Sequence, residues 1–269
     1  MEQIPISYMR KKIFFCLSLC FLVLLLHPMD ALANHSVPLD FEKALNESRA
    51  GNFKEALGYW DNVIDLYPTN GVALSNRGNV RLALGDFDGA IVDQDRAIEM
   101  LPDEIDPHLN RGIAEEALKR WNEAIEDYEW VLTRDPDNAS ALYNLGNVKV
   151  SQGDWLQSKL LFNKATLVNP DFAIALSSKA LANYQLNELD AAEEQLRALI
   201  KTYPMFADGR AALSALLWHK GVLGEAQSHW AAAFGLDNRY TEEDWLLNIR
   251  RWPPEPTKDL MEFLDKKSV

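Results

Sequence analysis

Cysteine is nearly missing from this 269-residue chain: Cys16 and Cys20 are its only two, and both lie in one apolar run near the N-terminus. If that run is removed, disulfide frameworks, zinc-thiolate sites and thiol nucleophiles are excluded together. Neither cysteine follows a small residue, since Phe15 and Leu19 precede them, so a lipidation signal is lacking too. Histidine is scarce, with His27, His35, His108, His219 and His229 the whole set, and none is placed i, i+4 from another as a helical metal pair requires. The phosphate loop GxxxxGK[ST], the GxSxG elbow and the GxGxxG turn are absent, so nucleotide and acyl-transfer chemistry lack their minimal parts. Positive charge is short as well: 27 Lys and Arg stand against 40 Asp and Glu, a net −13. That sign opposes a phosphate-binding surface, whose affinity comes from cations that release counterions, and suits a basic or neutral partner. The acids are spread along the chain and read as solvated faces; no catalytic residue, metal site or cofactor is nominated.

What is present begins with a targeting segment. Arg10-Lys11-Lys12, an apolar run from Ile13 to Leu26 and the small-residue stretch Ala31-Leu32-Ala33 follow the order of a secretory signal peptide. The run is short for a bilayer span. Residues 1–33 are therefore expected to be a signal cleaved after Ala33, with an uncleaved membrane anchor as the alternative. Either form exports the remainder, to a periplasm or a thylakoid lumen. The Asn-x-Ser sequons at Asn34, Asn46 and Asn138 are read as coincidence.

A 34-residue period organises the rest. Pro68, Pro102, Pro136, Pro170 and Pro204 keep that step, as do the small residues Ala56, Ala90, Ala124, Ser158, Ala192 and Ala226. A third row holds Phe53, Phe87, Trp121, Trp155, Leu189 and Leu223. In a two-helix hairpin the small residue permits a close helix crossing, the large one fills the space beside it, and proline ends the second helix. Gly51, Gly85, Gly153 and Gly221 fall where the first helix must stop, at a position favouring positive φ. Asn52 with Glu55, Asp86 and Asp154 are expected to cap the second helices, whereas the third hairpin has Lys119-Arg120 in place of Gly-Asp.

These rows, with Leu145-Gly146, Phe162 and Pro170 in one copy and Gly112, Ala124, Tyr128 and Pro136 in another, resemble the tetratricopeptide repeat family. The resemblance implies an all-α, right-handed α-solenoid of six helix-turn-helix repeats at 37–70, 71–104, 105–138, 139–172, 173–206 and 207–240. The outer copies depart from the pattern, with Ala44, Ala180 and Ser214 at the glycine position and Asn238 in place of the last proline. Residues 34–240 form the array and 241–269 a C-terminal cap and tail, in which Thr241-Glu242-Glu243-Asp244 starts one helix and Leu260, Phe263 and Leu264 share a face of another. Trp245, Trp252 and Phe263 are read as covering the end of the array or, alternatively, as a docking surface.

In this family the first helices of successive repeats line a concave surface that holds peptides or helices. The resemblance then places Asn76, Asn110, Asn144 and Ser178 at one repeat position, with Asn79, Tyr143 and Asn147 beside them. The ladder is similar to that of O-GlcNAc transferase, where amides hold a peptide main chain. An amide both donates and accepts, so it can bond a backbone of any sequence. The competing reading has these amides bond only between adjacent repeats. The Lys/Arg clamp of chaperone-tail binders is absent from the same surface. The acidic stretch from Asp86 to Asp106, opposed by Arg96 alone, is read as solubilising or as a site for a basic partner.

The expected function is that of an exported scaffold binding a protein or peptide partner in its groove and helping a membrane or envelope complex to assemble. The Asn-Arg-Gly openings at Asn76 and Asn110 are similar to those of bacterial and cyanobacterial repeat proteins, including photosystem assembly factors. Membrane contact is expected only through the signal or anchor segment or through a membrane-complex partner. A self-associating structural solenoid using Trp245 and Trp252 is the alternative, and an enzyme is the reading least supported.

Overall fold

The computed structural model describes residues 39–267. The signal or anchor segment expected at 1–33 and the first residues of the repeat expected at 37–70 lie outside them. Among the described residues every regular element is helical, and no helix is long and apolar enough to cross a membrane.

These residues form two compact units, 39–136 and 137–267. The first contains the hairpins α1 (Leu39–Ala50) with α2 (Phe53–Leu66), α3 (Gly71–Leu84) with α4 (Phe87–Met100), and α5 (Ile105–Ala117) with α6 (Trp121–Arg134). The second contains α7 (Ala139–Ser151) with α8 (Trp155–Val168), α9 (Ala173–Gln185) with α10 (Leu189–Thr202), and α11 (Ala207–His219) with α12 (Leu223–Leu236). A 3-10 turn, Asn238–Thr241, then leads to α13 (Glu243–Asn248) and α14 (Pro254–Lys267). Within each unit consecutive helices pack pairwise, the arrangement expected of helical-hairpin repeats.

The periodic rows explain this packing. All six small residues, from Ala56 to Ala226, are completely buried at their helix crossings. The glycine position of the first helix faces a ring of the second: a Cβ on Gly146 would sit 2.6 Å from Phe162, and one on Gly112 would sit 2.7 Å from Tyr128. The contact leaves no room for a methyl group. The aromatic or leucine row starts the second helices and is only half-buried, and Leu223 is exposed rather than filling a gap. The first five second helices each end two residues before their proline, and the sixth two residues before Asn238.

Gly51, Gly85, Gly153 and Gly221 take φ between 74° and 81°, the left-handed turn expected of them. At the equivalent point of the third hairpin Lys119 is forced to φ 60° and no side chain caps α6. Asp86 and Asp154 accept from the backbone N–H of Gly89 and Gln157 as expected. Asn52 does not cap α2; its amide donates to Glu47 instead, at 2.6 Å. Two caps that the sequence reading missed are Asn70 and Asn138, which accept from Ala73 and Ala141 at the start of α3 and α7.

Candidate functional site

In the first unit the first helices α3 and α5 carry three of the expected groove residues. Asn76 is half-exposed and its amide folds back onto the Val72 carbonyl of its own helix, at 2.8 Å. Asn79 is buried, and its Oδ1 accepts from Gln94 Nε2 of α4 at 3.0 Å. That bond lies inside one hairpin rather than between adjacent repeats. Asn110 is buried on α5.

In the second unit Tyr143, Asn144 and Asn147 sit on α7 and Ser178 on α9. Tyr143 packs its ring against Phe162 and Phe172, with centroids 5.5 and 5.1 Å apart. Asn147 is buried and Ser178 half-buried. Asn144 is 1% exposed, and neither its amide nitrogen nor its carbonyl oxygen has a hydrogen-bond partner. A buried amide left without a partner costs stability.

The acidic stretch is not a free patch. Arg77 holds Asp93 through Nε–Oδ2 at 2.8 Å and Nη2–Oδ1 at 2.6 Å, and its remaining Nη1 reaches Asp61 of the preceding repeat at 2.8 Å. One repeat later Arg111 grips Asp127 in the same way and extends Nη1 to Asp95 at 2.7 Å. Asp127 also meets His108 Nδ1 at 2.7 Å. Asp88 pairs with Arg120, while Arg96 donates to the Pro68 carbonyl rather than to an acid. The expectation that Arg96 alone opposes these acids is therefore corrected: Asp88 and Asp95 pair with arginines of the next repeat, and Asp86 and Asp93 with arginines of their own. Hydrogen bonding to Asp127 raises the Arg111 pKa against the opposing effect of burial. A signal for this was available, because Arg77/Arg111, Asp93/Asp127 and Asp61/Asp95 all keep the 34-residue step.

The C-terminal tail is the largest departure from the sequence reading. Asp208, in the first turn of α11, is fully buried. Its Oδ1 accepts from Tyr240 Oη at 2.8 Å, Arg250 Nε at 3.0 Å and Trp252 Nε1 at 2.9 Å, and its Oδ2 from Ser177 Oγ at 2.5 Å. Arg250 Nη2 is also 2.7 Å from Oδ1, though not aligned as a hydrogen bond. Burial pushes the Asp208 carboxyl up, but the Arg250 charge and these donors outweigh it and hold the pKa below the ordinary range.

Beyond this, α14 rests on the first helices α11 and α9. Asp259 Oδ2 accepts from Tyr184 Oη at 2.7 Å and lies 2.9 Å from His219 Nδ1, while the Glu255 N–H donates to Gln185 Oε1 at 2.9 Å. Trp245, Trp252 and Phe263 are all buried in the core of this unit, Trp252 and Phe263 at 2% and 3% exposure. Neither the docking reading of these three residues nor the self-association reading of the two indoles survives, because their rings are already covered by their own chain.

Comparison with known proteins agrees with this architecture. A tetratricopeptide repeat model matches residues 41–105 and 143–205, and a second, described as a TPR repeat, matches 115–153; together they span more than half of the chain. No curated protein sequence matches it. Among solved structures, one described as the APC/C hetero-tetramer Cut9-Hcn1 aligns with TM-score 0.68 and 18% identity over 83% of this chain. The alignment takes in only 41% of that structure's chain. A tetratricopeptide repeat protein from Parabacteroides merdae aligns with TM-score 0.62 and 19% identity, covering 83% of this chain and 96% of its own. YrrB, described as a TPR protein with an unusual peptide-binding site, aligns with TM-score 0.53 and 18% identity over 66% of this chain and 92% of its own. At these identities the likeness is one of fold.

Proposed function

Because this chain belongs to the tetratricopeptide repeat family, we propose that it is a scaffold that binds a protein or peptide partner through the first-helix surfaces of its repeats, without catalysis of its own. The observation that carries the reading is the polar position shared by the first helices, where Asn76 and Ser178 are half-exposed and can reach a partner. A peptide main chain offers the matching acceptor and donor, and binding of that kind is loosely sequence-specific. Asn110 and Asn144, at the same repeat position, are buried beneath that surface. The peptide-binding site named for YrrB is a precedent within the fold.

The finer reading is that the chain is exported to a periplasm or thylakoid lumen, where it aids assembly of a membrane or envelope complex, a photosynthetic one included. Its support is the order of charge, apolar run and small residues in 1–33 and the Asn-Arg-Gly openings. Crosslinking in cells followed by mass spectrometry tests both parts. The expected result is a protein enriched with the native chain and lost with the Asn76→Ala, Asn110→Ala, Asn144→Ala variant, in a membrane or envelope fraction. Equal recovery of every partner by the triple variant would sink the groove reading, and recovery from the cytoplasm alone would sink the export reading.

A further inference from the structure

The tail is held on the first-helix face of the fifth and sixth repeats by chemistry that an end cap does not need. An end of a stack is covered by apolar contact, and replacing a buried ion pair by well-packed apolar residues is often neutral or stabilising. Here a fully buried carboxylate, Asp208, is placed where other repeats carry Val72, Asp106, Ser140 and Ile174. Apart from Ser177, each of its donors comes from beyond the last hairpin: Tyr240, Arg250 and Trp252. Charge-assisted bonds to a guanidinium and an indole N–H distinguish one side chain from another as apolar contacts do not. Between those two anchors Arg251 has φ 56°, the left-handed region that a residue with a Cβ disfavours. The native tail is thus an imperfect fit to its own site. A segment with glycine at that point has no such conflict.

We infer that this face is a receptor site for a peptide segment carrying arginine and tryptophan two residues apart, filled in cis by Arg250 and Trp252 and opened to a partner bearing the same pair by displacement of the tail. The site lies on the surface assigned above to partner binding, and the inference rests on that reading. A partner with Arg-Gly-Trp followed by a short helix supplies the guanidinium and indole donors of Arg250 and Trp252 and lacks the tail's backbone conflict.

The probe is a fluorescent peptide with the sequence of residues 248–267 and Arg251→Gly. The protein is the full chain, native or carrying Arg250→Ala and Trp252→Ala. The probe is expected to bind the double variant about tenfold or more tightly than the native chain, because the cis competitor is weakened. Adding Asp208→Asn to the double variant should reverse that gain. Equal binding to native chain and double variant, or indifference to Asp208→Asn, would overturn the inference. If the double variant does not fold, hydrogen exchange of the native chain decides: excess probe should accelerate exchange of the amides of α14, and an unchanged pattern overturns the proposal. No cellular partner enters this test and Asn76, Asn110 and Asn144 stay intact, so its failure is distinct from failure of the groove reading.

Discussion

Arg111 meets the Asp127 carboxylate with two parallel bonds, Nε to Oδ2 at 2.9 Å and Nη2 to Oδ1 at 2.8 Å, while its third nitrogen holds the preceding repeat. The same fork is built at Arg77 one repeat earlier. Asp127 is 3% exposed, so its carboxylate is desolvated although Arg111 is only part-buried, and its partners are not interchangeable with solvent. Arg111→Leu, the residue the fourth repeat has at this position as Leu145, leaves a buried carboxylate with only His108 beside it. A loss of about 3–5 kcal/mol in urea unfolding is expected, as for other broken buried pairs. Arg111→Leu with Asp127→Leu should recover most of it, and no recovery would show that the pair is not the source.

Asn79 and Asn144 should respond in opposite directions to Ala. Asn79→Ala removes the acceptor of Gln94 Nε2 and should destabilise by about 1–2 kcal/mol. Asn144→Ala removes two unpartnered polar atoms and should be neutral or stabilising. Thermal unfolding of the two variants checks this, and a marked destabilisation by Asn144→Ala would reveal an internal role.

Gly146→Ala drives a methyl group into the Phe162 ring at 2.6 Å and should cost about 1–3 kcal/mol by overpacking. Lys119→Gly has the contrary sign, because it relieves a left-handed lysine at the only hairpin turn of the first unit without glycine. A gain of about 0.5–1 kcal/mol is expected, the net of relieved strain and added chain freedom. Urea midpoints measure both.

Stability should fall in acid through Asp208. Its carboxyl is held below the ordinary value of about 3.9, so its contribution is fully present above that pH and is lost as pH falls through the lower folded value. Between about pH 4 and 2 the melting temperature of the native chain should drop more steeply than that of Asp208→Asn. Parallel slopes would place the acid sensitivity elsewhere.

The repeat phase was legible because its causes are local. A proline ends a helix wherever it falls, a glycine permits positive φ at Gly85 or Gly153 whatever surrounds it, and a row of small residues marks a crossing regardless of partner. The candidate groove residues were placed on the right helices for the same reason. Their bonds were not legible: Asn79 and Asn144 share a residue type and a first helix, yet one is satisfied by a glutamine from the facing helix and the other by nothing.

The sequence by itself determined twelve repeat helices among the described residues, where each hairpin turns, and which residues sit at the crossings, since each of these depends on contacts within about 34 residues. Only the tertiary structure decided where the long-range charges go. Asp208 finds Arg250 and Trp252 across 42 and 44 residues, and Tyr184 finds Asp259 across 75. Such pairs follow from which surfaces meet when the tail folds back. Periodicity carries no information about a segment that lies outside the period.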